Sequence, residues 1–485
     1  MHFATDFWLT RFWFQHALGG IYLIAFVIAA NQFIPLLGSH GLQPVRVFLR
    51  QVPFRRVPSL FYLNCSDQFI TATIWCGIGL SCFALTGFSE SFGLTVSMLT
   101  WALLWMIYIS LVNAGQTFYG FGWETMLCEA GFLAIFLGSS DTRAPVIVMW
   151  LIVWVLFRTM FGAGMIKVRA DPCWRDLSCL FYHYETQPLP NPLSWYLHHA
   201  PRWFHKAGVL FNHFTELVVP WFYFAPAPLC YWAGAITIVF QITLILSGNL
   251  SWLNYITIVL CLPCFDDRFF SRFFSVPHSV PAHLTLPHAI VVSFVTTIVL
   301  WLSWRPARNL FSGRQLMNAS FEPLHLVNTY GAFGAVTRER LEIVIKGIDE
   351  LGDGSAHWRE YEFKGKPGNV NRAPCIVSPY HWKLDWQMWF AAMSPPDLHP
   401  WFLALVERLL EGDKRILRLF AHNPFSDGPP KFIRADWYRY HFTKPDERGW
   451  WKRTFIAEYL PAVTLPRARD VVPGKATSRA DFSSQ

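Results

Sequence analysis

The run VIVMWLIVWVLFRTMFGAGM, residues 146–165, carries a single charge, Arg158. A helix crossing the roughly 30 Å hydrocarbon core of a bilayer needs about 20 mostly apolar residues. This run meets that length. Five more do the same: 12–34 (FWFQHALGGIYLIAFVIAANQFI), 68–87 (QFITATIWCGIGLSCFALTG), 93–112, 229–247 (LCYWAGAITIVFQITLILS) and 287–304 (PHAIVVSFVTTIVLWLSW). Segments 123–138, 208–226 and 250–264 are shorter or carry polar residues, and are read as spanning, re-entering or buried in a bundle. The expectation is a polytopic α-helical membrane bundle of six to nine spans. The opening MHFATDFWLTRFW lacks the pattern of a cleaved signal peptide, so the first span is read as an anchor.

Composition supports this reading. The 485 residues are 53% hydrophobic and 17% aromatic, with 24 Trp and 44 Phe and only 15% charged residues, far too apolar for an ordinary soluble enzyme. Net charge is +8, but the basic residues form neither a tail nor a helix stripe, so nucleic acid is not an expected partner; membrane lipids are.

After Trp304 the pattern changes. Strand-like runs follow at 341–347 (LEIVIKG), 357–364 (HWREYEFK), 373–380 (APCIVSPY), 431–443 (KFIRADWYRYHFT) and 450–460 (WWKRTFIAEYL). LDWQMWFAAM and PWFLALVERLLEG read as short helices between them. The expected organisation is a multi-pass region over 1–310 with an ordered loop at 166–207, a compact strand-rich α+β domain over 320–465, and a flexible tail over 466–485. With nine spans, Arg46, Arg50, Arg55, Arg56, Lys167, Arg169, Arg175, Arg202 and Lys206 collect on one side, against Arg11, Arg143, Arg268 and Arg272 on the other. The positive-inside rule then places the first side, and the C-terminal domain, in the cytoplasm.

Charged side chains at membrane depth are costly and mark candidate sites. Here they are Glu124, Glu129, Arg158 and Lys167, with Asn212, His213 and Glu216 in VLFNHFTELVVP. Spacing puts Asn212 and Glu216 one turn apart on a helix face, with His213 beside them. One reading is a structural network in which the glutamates pair with Arg158 or Lys167. A second is a polar constellation acting on a substrate or a prenyl-like cofactor, and a third is interfacial placement with no special role.

Between two apolar segments lies DPCWRDLSCLFYHYETQPLPNPLSWYLHH, residues 171–199. Pro188, Pro190 and Pro192 force an extended path there, and the aromatics are those that settle at a membrane interface. Cys173 and Cys179 could form a disulfide in an oxidising compartment or remain two thiols. A zinc site with His183 does not match a familiar ligand spacing. CLPC at 261–264 has the form of a redox pair without its strand-helix context. No G-x-S-x-G, H-E-x-x-H or P-loop occurs, and no metal or cofactor is expected. In 378–392 (SPYHWKLDWQMWFAA), Tyr380, His381, Asp385, Trp386 and Gln387 surround a strand-to-helix passage, with Asp385 read first as an N-cap and second as an acid. The aromatics there either pack a small core or form a surface for another protein.

FYGFGWETMLCEAGFLAIFL (118–137), FGAGMIKVRADPCW through VLFNHFTELVVP (161–220), WREYEFKGKPG, PYHWKLDWQMWFAA and WWKRTFIAEYLP together resemble the lipase maturation factor family over essentially the whole chain. The resemblance implies a multi-pass membrane protein that helps secreted lipases fold and assemble, in the endoplasmic reticulum membrane in animals and in the inner membrane for a bacterial member. It implies a folding factor rather than an enzyme. It also implies that the loop residues Asp171, Cys173, Trp174, Cys179, His183, Tyr184 and Glu185, with the C-terminal domain, hold clients. A shorter stretch, AGMIKVRADPCW (163–174), is similar to a helix end in vitamin K-dependent carboxylases, where a lysine after Ala-Gly is the proposed base. Lys167 holds that position, and this likeness implies an alternative, a membrane enzyme acting on a lipid-like cofactor or a protein.

Overall fold

The computed structural model describes residues 6–275, 284–350, 357–466 and 468. The tail expected over 466–485 lies, but for Pro466 and Ala468, outside the described residues. Among these residues six helices are long and apolar enough to cross a bilayer: α1 Trp8–Leu37, α2 Asp67–Leu85, α3 Leu94–Ala114, α4 Val146–Arg169, α5 Leu229–Ser247 and α6 Leu286–Leu310. They contain the six apolar runs of the sequence, but for the last two residues of 68–87 and the first of 93–112.

Their direction follows from what their ends touch. At one side of the bundle, Trp8 Nε1 donates to the Ser140 carbonyl at 2.8 Å and Arg11 to the Thr142 carbonyl at 2.5 Å, just before α4 begins. At the other side the Ser39 amide, after α1, donates to Asp67 at the start of α2 (2.7 Å), and Asn113 at the end of α3 reaches the Pro58 carbonyl (2.9 Å). Thus α1, α3 and α4 run one way and α2 returns. α5 and α6 run with α1, since Ser247 meets the loop that follows α4 and α6 feeds the C-terminal domain.

Parallel neighbours require return paths. The three shorter apolar segments supply them: Gly122–Ala134 between α3 and α4, Arg202–His213 with Phe214–Val218 and Val219–Phe224 between α4 and α5, and Leu253–Cys261 between α5 and α6. The middle return changes from α-helix to a π turn and then to a 3-10 helix. Such irregular backbone is tolerated at membrane depth only where protein shields it. Of Gly122–Ala134, every residue but Phe132 is buried.

The C-terminal domain carries an antiparallel sheet of order β2-β1-β5-β6, where β1 is Arg340–Ile348, β2 Arg359–Glu360, β5 Phe432–Phe442 and β6 Trp451–Val463. A second pair joins β3 Glu362–Phe363 to β4 Phe420–His422. Arg340 pairs in register with Tyr440, and Phe442 with Trp451. Helices Lys383–Ala391 and Pro400–Leu410 pack on the sheet, with the Phe402 and Trp437 rings against Tyr459 at 5.2 and 5.1 Å.

Two sequence expectations need correction. APCIVSPY forms no strand: Pro374 and Pro379 remove ladder donors, and the amides of Val377 and Ser378 instead donate to Asn249 Oδ1 at 2.7 and 3.0 Å. In the loop after α4, the extended path is confined to 187–191. Pro192 begins a helix, Pro192–His198, at the position where a missing N–H costs nothing, and Asn191 caps it in a reciprocal box with Ser194.

Candidate functional site: buried charges and the brace beneath the sheet

The seven intramembrane polar candidates do not form one cluster. Glu129 pairs with Arg158, both side chains almost fully buried. The Asn328 amide and side chain each donate to Glu129 at 3.0 Å, the Tyr330 hydroxyl donates to it at 2.6 Å, and Arg158 also donates to the Asn328 carbonyl at 2.5 Å. Arg158 lies 5.3 Å from the Trp154 ring. Asn328 and Tyr330 belong to the segment leading from α6 to β1. It approaches α4 so closely that a Cβ on Gly162 would sit 2.6 Å from the Tyr330 carbonyl oxygen.

Glu124, on the same short helix, faces elsewhere. Lys383, at the start of Lys383–Ala391, reaches it at 2.7 Å, and the Tyr108 hydroxyl donates to it as well. The Lys383 ammonium also donates to the Phe118 carbonyl (3.1 Å) and lies 3.6 Å from the Tyr119 ring centroid. The sequence reading paired Glu124 with Arg158 or Lys167; the partner comes instead from the C-terminal domain. His381 is buried beside the pair, 4.0 Å from Glu124, with the rings of Phe121, Trp123 and Trp386 at 4.9, 5.3 and 5.7 Å. Burial, with Lys383 alongside, holds His381 well below the usual histidine range. Gln32 on α1 donates to the His381 carbonyl (2.7 Å) and accepts from the Lys383 amide (2.9 Å), and the Tyr380 hydroxyl accepts from Asn31 at 3.2 Å.

Lys167 donates to Asn212 Oδ1 at 2.8 Å and to Glu216 Oε1 at 2.6 Å, with the Trp174 ring 4.9 Å away. Asn212 and Glu216 share a face as their spacing predicted. His213 does not join them: its Nε2 faces the Trp174 carbonyl at 2.9 Å. Gly164 makes the close approach possible, since a Cβ there would lie 2.9 Å from Glu216 Cβ. With three partners for its ammonium, Lys167 is an anchored cation, and nothing in this arrangement supports the base role implied by the carboxylase-like stretch.

The loop after α4 is folded into the junction between bundle and sheet. Cys173 and Cys179 are joined in a disulfide, Cα atoms 4.7 Å apart, so neither sulfur is a free thiol. Asp171 caps the helix Pro172–Arg175 and pairs with Arg338 at 2.9 Å. Trp174 donates to the Phe333 carbonyl at 2.9 Å. His183 is buried against Phe333, and burial with nearby Lys167 lowers it to about 4. Tyr184 is pushed up to about 12 by burial. Glu185 accepts from the Phe442 amide of β5 at 2.6 Å.

Arg340, the first residue of β1, grips the same loop. Its guanidinium donates to the carbonyls of Glu185, Gln187 and Pro188 at 2.9, 2.5 and 2.9 Å, while its Nε donates to Glu342 at 2.9 Å. Glu342 in turn pairs with Lys366 at 2.8 Å. Asp385 is not an N-cap. It accepts the amides of Gly365 (2.5 Å) and Lys366 (3.0 Å), yet burial outweighs them and holds its carboxyl above the usual carboxylate range. Trp386 is buried beside Phe121 and Trp123.

Sequence reasoning did not single out Lys383, Asn328, Tyr330, Arg340, Glu342 or Lys366. Lys383 carried a usable signal as a lone cation inside the aromatic run PYHWKLDWQMWFAA. Arg340 begins a strand that is buried on both faces, and carried none.

These features define an integral, multi-pass membrane protein whose C-terminal α+β domain is bolted to its bundle by buried polar contacts. Residues 9–272 match the lipase maturation factor transmembrane domain and residues 326–461 the lipase maturation factor C-terminal domain. The chain is 41% identical to lipase maturation factor 1 of Homo sapiens over 97% of its own length and 90% of that protein. It is 40% identical to lipase maturation factor 1 of Bos taurus, over 98% and 92% respectively. With lipase maturation factor 2 of Xenopus laevis it shares 30% identity over 94% and 82%. The chain belongs to the lipase maturation factor family. No solved structure matches it.

Proposed function

We propose that this protein is a membrane-embedded maturation factor that assists folding and assembly of exported proteins, lipases in particular. The observation that carries the reading is similarity to named maturation factors over both bundle and C-terminal domain. The membrane is that of the endoplasmic reticulum in a eukaryote and the inner membrane in a bacterium. The Cys173–Cys179 disulfide, on the C-terminal-domain side, supports an oxidising compartment for that side. Two cations that weighed the other way are occupied: Lys167 by Glu216, and Arg169 by the Leu310 carbonyl and Gln315.

On this reading Cys173, Trp174, Cys179, His183, Tyr184 and Glu185 serve clients indirectly. Buried as they are, they hold the sheet in place. Client contact falls to exposed side chains around them, such as Tyr196 on the loop and Phe455 on β6. The test is removal of the protein from its host, with secreted lipase measured both as protein and as activity. The expected result is lower specific activity at unchanged synthesis, restored by the wild-type chain. Normal specific activity of every secreted lipase would overturn the proposal.

A further inference from the structure

The helix Arg202–His213 continues without a break through Phe214–Val218 and Val219–Phe224. Its contacts set its level against α4. Phe224 stacks on Trp150 at 5.8 Å, Trp221 meets Phe157 at 5.1 Å, and Asn212 meets Lys167 at 2.8 Å. Moving from Phe224 back to Asn212 therefore runs along α4 from near its start almost to its end at Arg169. Residues 202–209 extend past the apolar length of α4, to the level where hydrocarbon gives way to headgroups.

Around this helix three kinds of surface separate. His205, Val209, Asn212 and Glu216 form the buried face. Opposite them Trp203, Ala207, Leu210 and Phe214, at helical spacing, are exposed, with Trp203 70% and Leu210 55% accessible. The stripe runs on through exposed Val218 and Trp221, beside a helix that crosses the bilayer. Its lower half therefore faces lipid, and its upper half is continuous with that surface. Exposed Arg202 and Lys206, one turn apart, flank the stripe, and neither has a carboxylate partner among the described residues.

We propose that this helix end is a binding site for an anionic phospholipid. The apolar stripe seats against the acyl chains at the headgroup boundary, and Arg202 and Lys206 hold the headgroup phosphate. An aromatic side chain with flanking cations at that depth is the pattern that anchors interfacial helices. The inference stands apart from the identity of any client.

Two measurements on the full chain test it, in nanodiscs of phosphatidylcholine with a minority of phosphatidylglycerol. The first places a nitroxide at Ala207→Cys after replacing the accessible free cysteines, and compares relaxation by oxygen and by a water-soluble nickel chelate. Oxygen should dominate; dominance of nickel would mean an aqueous surface and would overturn the proposal. The second counts lipids retained on the purified protein by native mass spectrometry. Phosphatidylglycerol should be enriched over its bulk share, and Arg202→Gln with Lys206→Gln should reduce that enrichment about fivefold per cation removed. Lys444→Gln, a control in the C-terminal domain, should leave it unchanged. Equal enrichment in the double variant and the wild type would overturn the site.

Discussion

Glu124 and Glu129 stand five residues apart on one short helix, and their partners come from different parts of the molecule. Glu129 is satisfied from within the bundle and from the segment 328–330 that lies against it. Glu124 reaches outward, to Lys383 of the C-terminal domain. A buried charge left without its partner costs several kcal/mol, so each pair fixes a geometry more firmly than its net contribution to stability would indicate. One pair holds the bundle together and the other fastens the domain to it. The same helix thus ties the membrane region to the C-terminal domain.

The largest effect is expected at the bundle pair. Arg158→Met leaves the Glu129 carboxylate buried with neutral donors only, and should cost about 3–5 kcal/mol. The expected observation is loss of monodisperse protein on size-exclusion chromatography in detergent. At the domain side, Arg340→Lys keeps the charge but cannot reach three carbonyls at once. A loss of about 2–3 kcal/mol is expected, seen as faster proteolytic cleavage within 185–191. Replacing both Cys173 and Cys179 by serine removes a short covalent loop and should cost about 2 kcal/mol, read as a lowered thermal midpoint.

The smallest effect is on pH dependence. His183 is held at about 4 in the folded protein against 6.5 ordinarily, so the unfolded chain takes up its proton first as pH falls. Stability should be unaffected by this group above about pH 6.5 and should decline from there toward pH 4, by about 1 kcal/mol at pH 6. His183→Gln should flatten that part of the stability-pH curve; an unchanged slope would contradict the buried neutral ring.

The difference between the two pairs also explains what the sequence disclosed. All six long helices were legible, because backbone in lipid must satisfy itself within one apolar segment, and length alone then identifies it. The three return segments were ambiguous for the complementary reason: Gly122–Ala134 is shielded by neighbouring helices, and so can be short and carry two glutamates. The pairings were not legible. Lys383 lies 259 residues from Glu124, and Asn328 lies 199 from Glu129, distances over which no local periodicity operates. Asn212 and Glu216 were placed together correctly because they share one helix face, whereas His213 faces another way. The grip of Arg340 on the loop uses backbone carbonyls, which every residue possesses, so no side-chain pattern in 185–188 announced it.

The most direct test of the fastening between domain and bundle is a double-mutant cycle on Glu124 and Lys383. Unfolding free energy would be measured for Glu124→Gln, Lys383→Met and the combined variant in a lipid environment. Each single change should destabilise by about 3 kcal/mol or more, and the pair together by clearly less than the sum, because the second removal relieves the charge stranded by the first. Strictly additive losses would mean that the two groups do not act on each other, and would contradict the account of a C-terminal domain held to the membrane bundle by this buried pair.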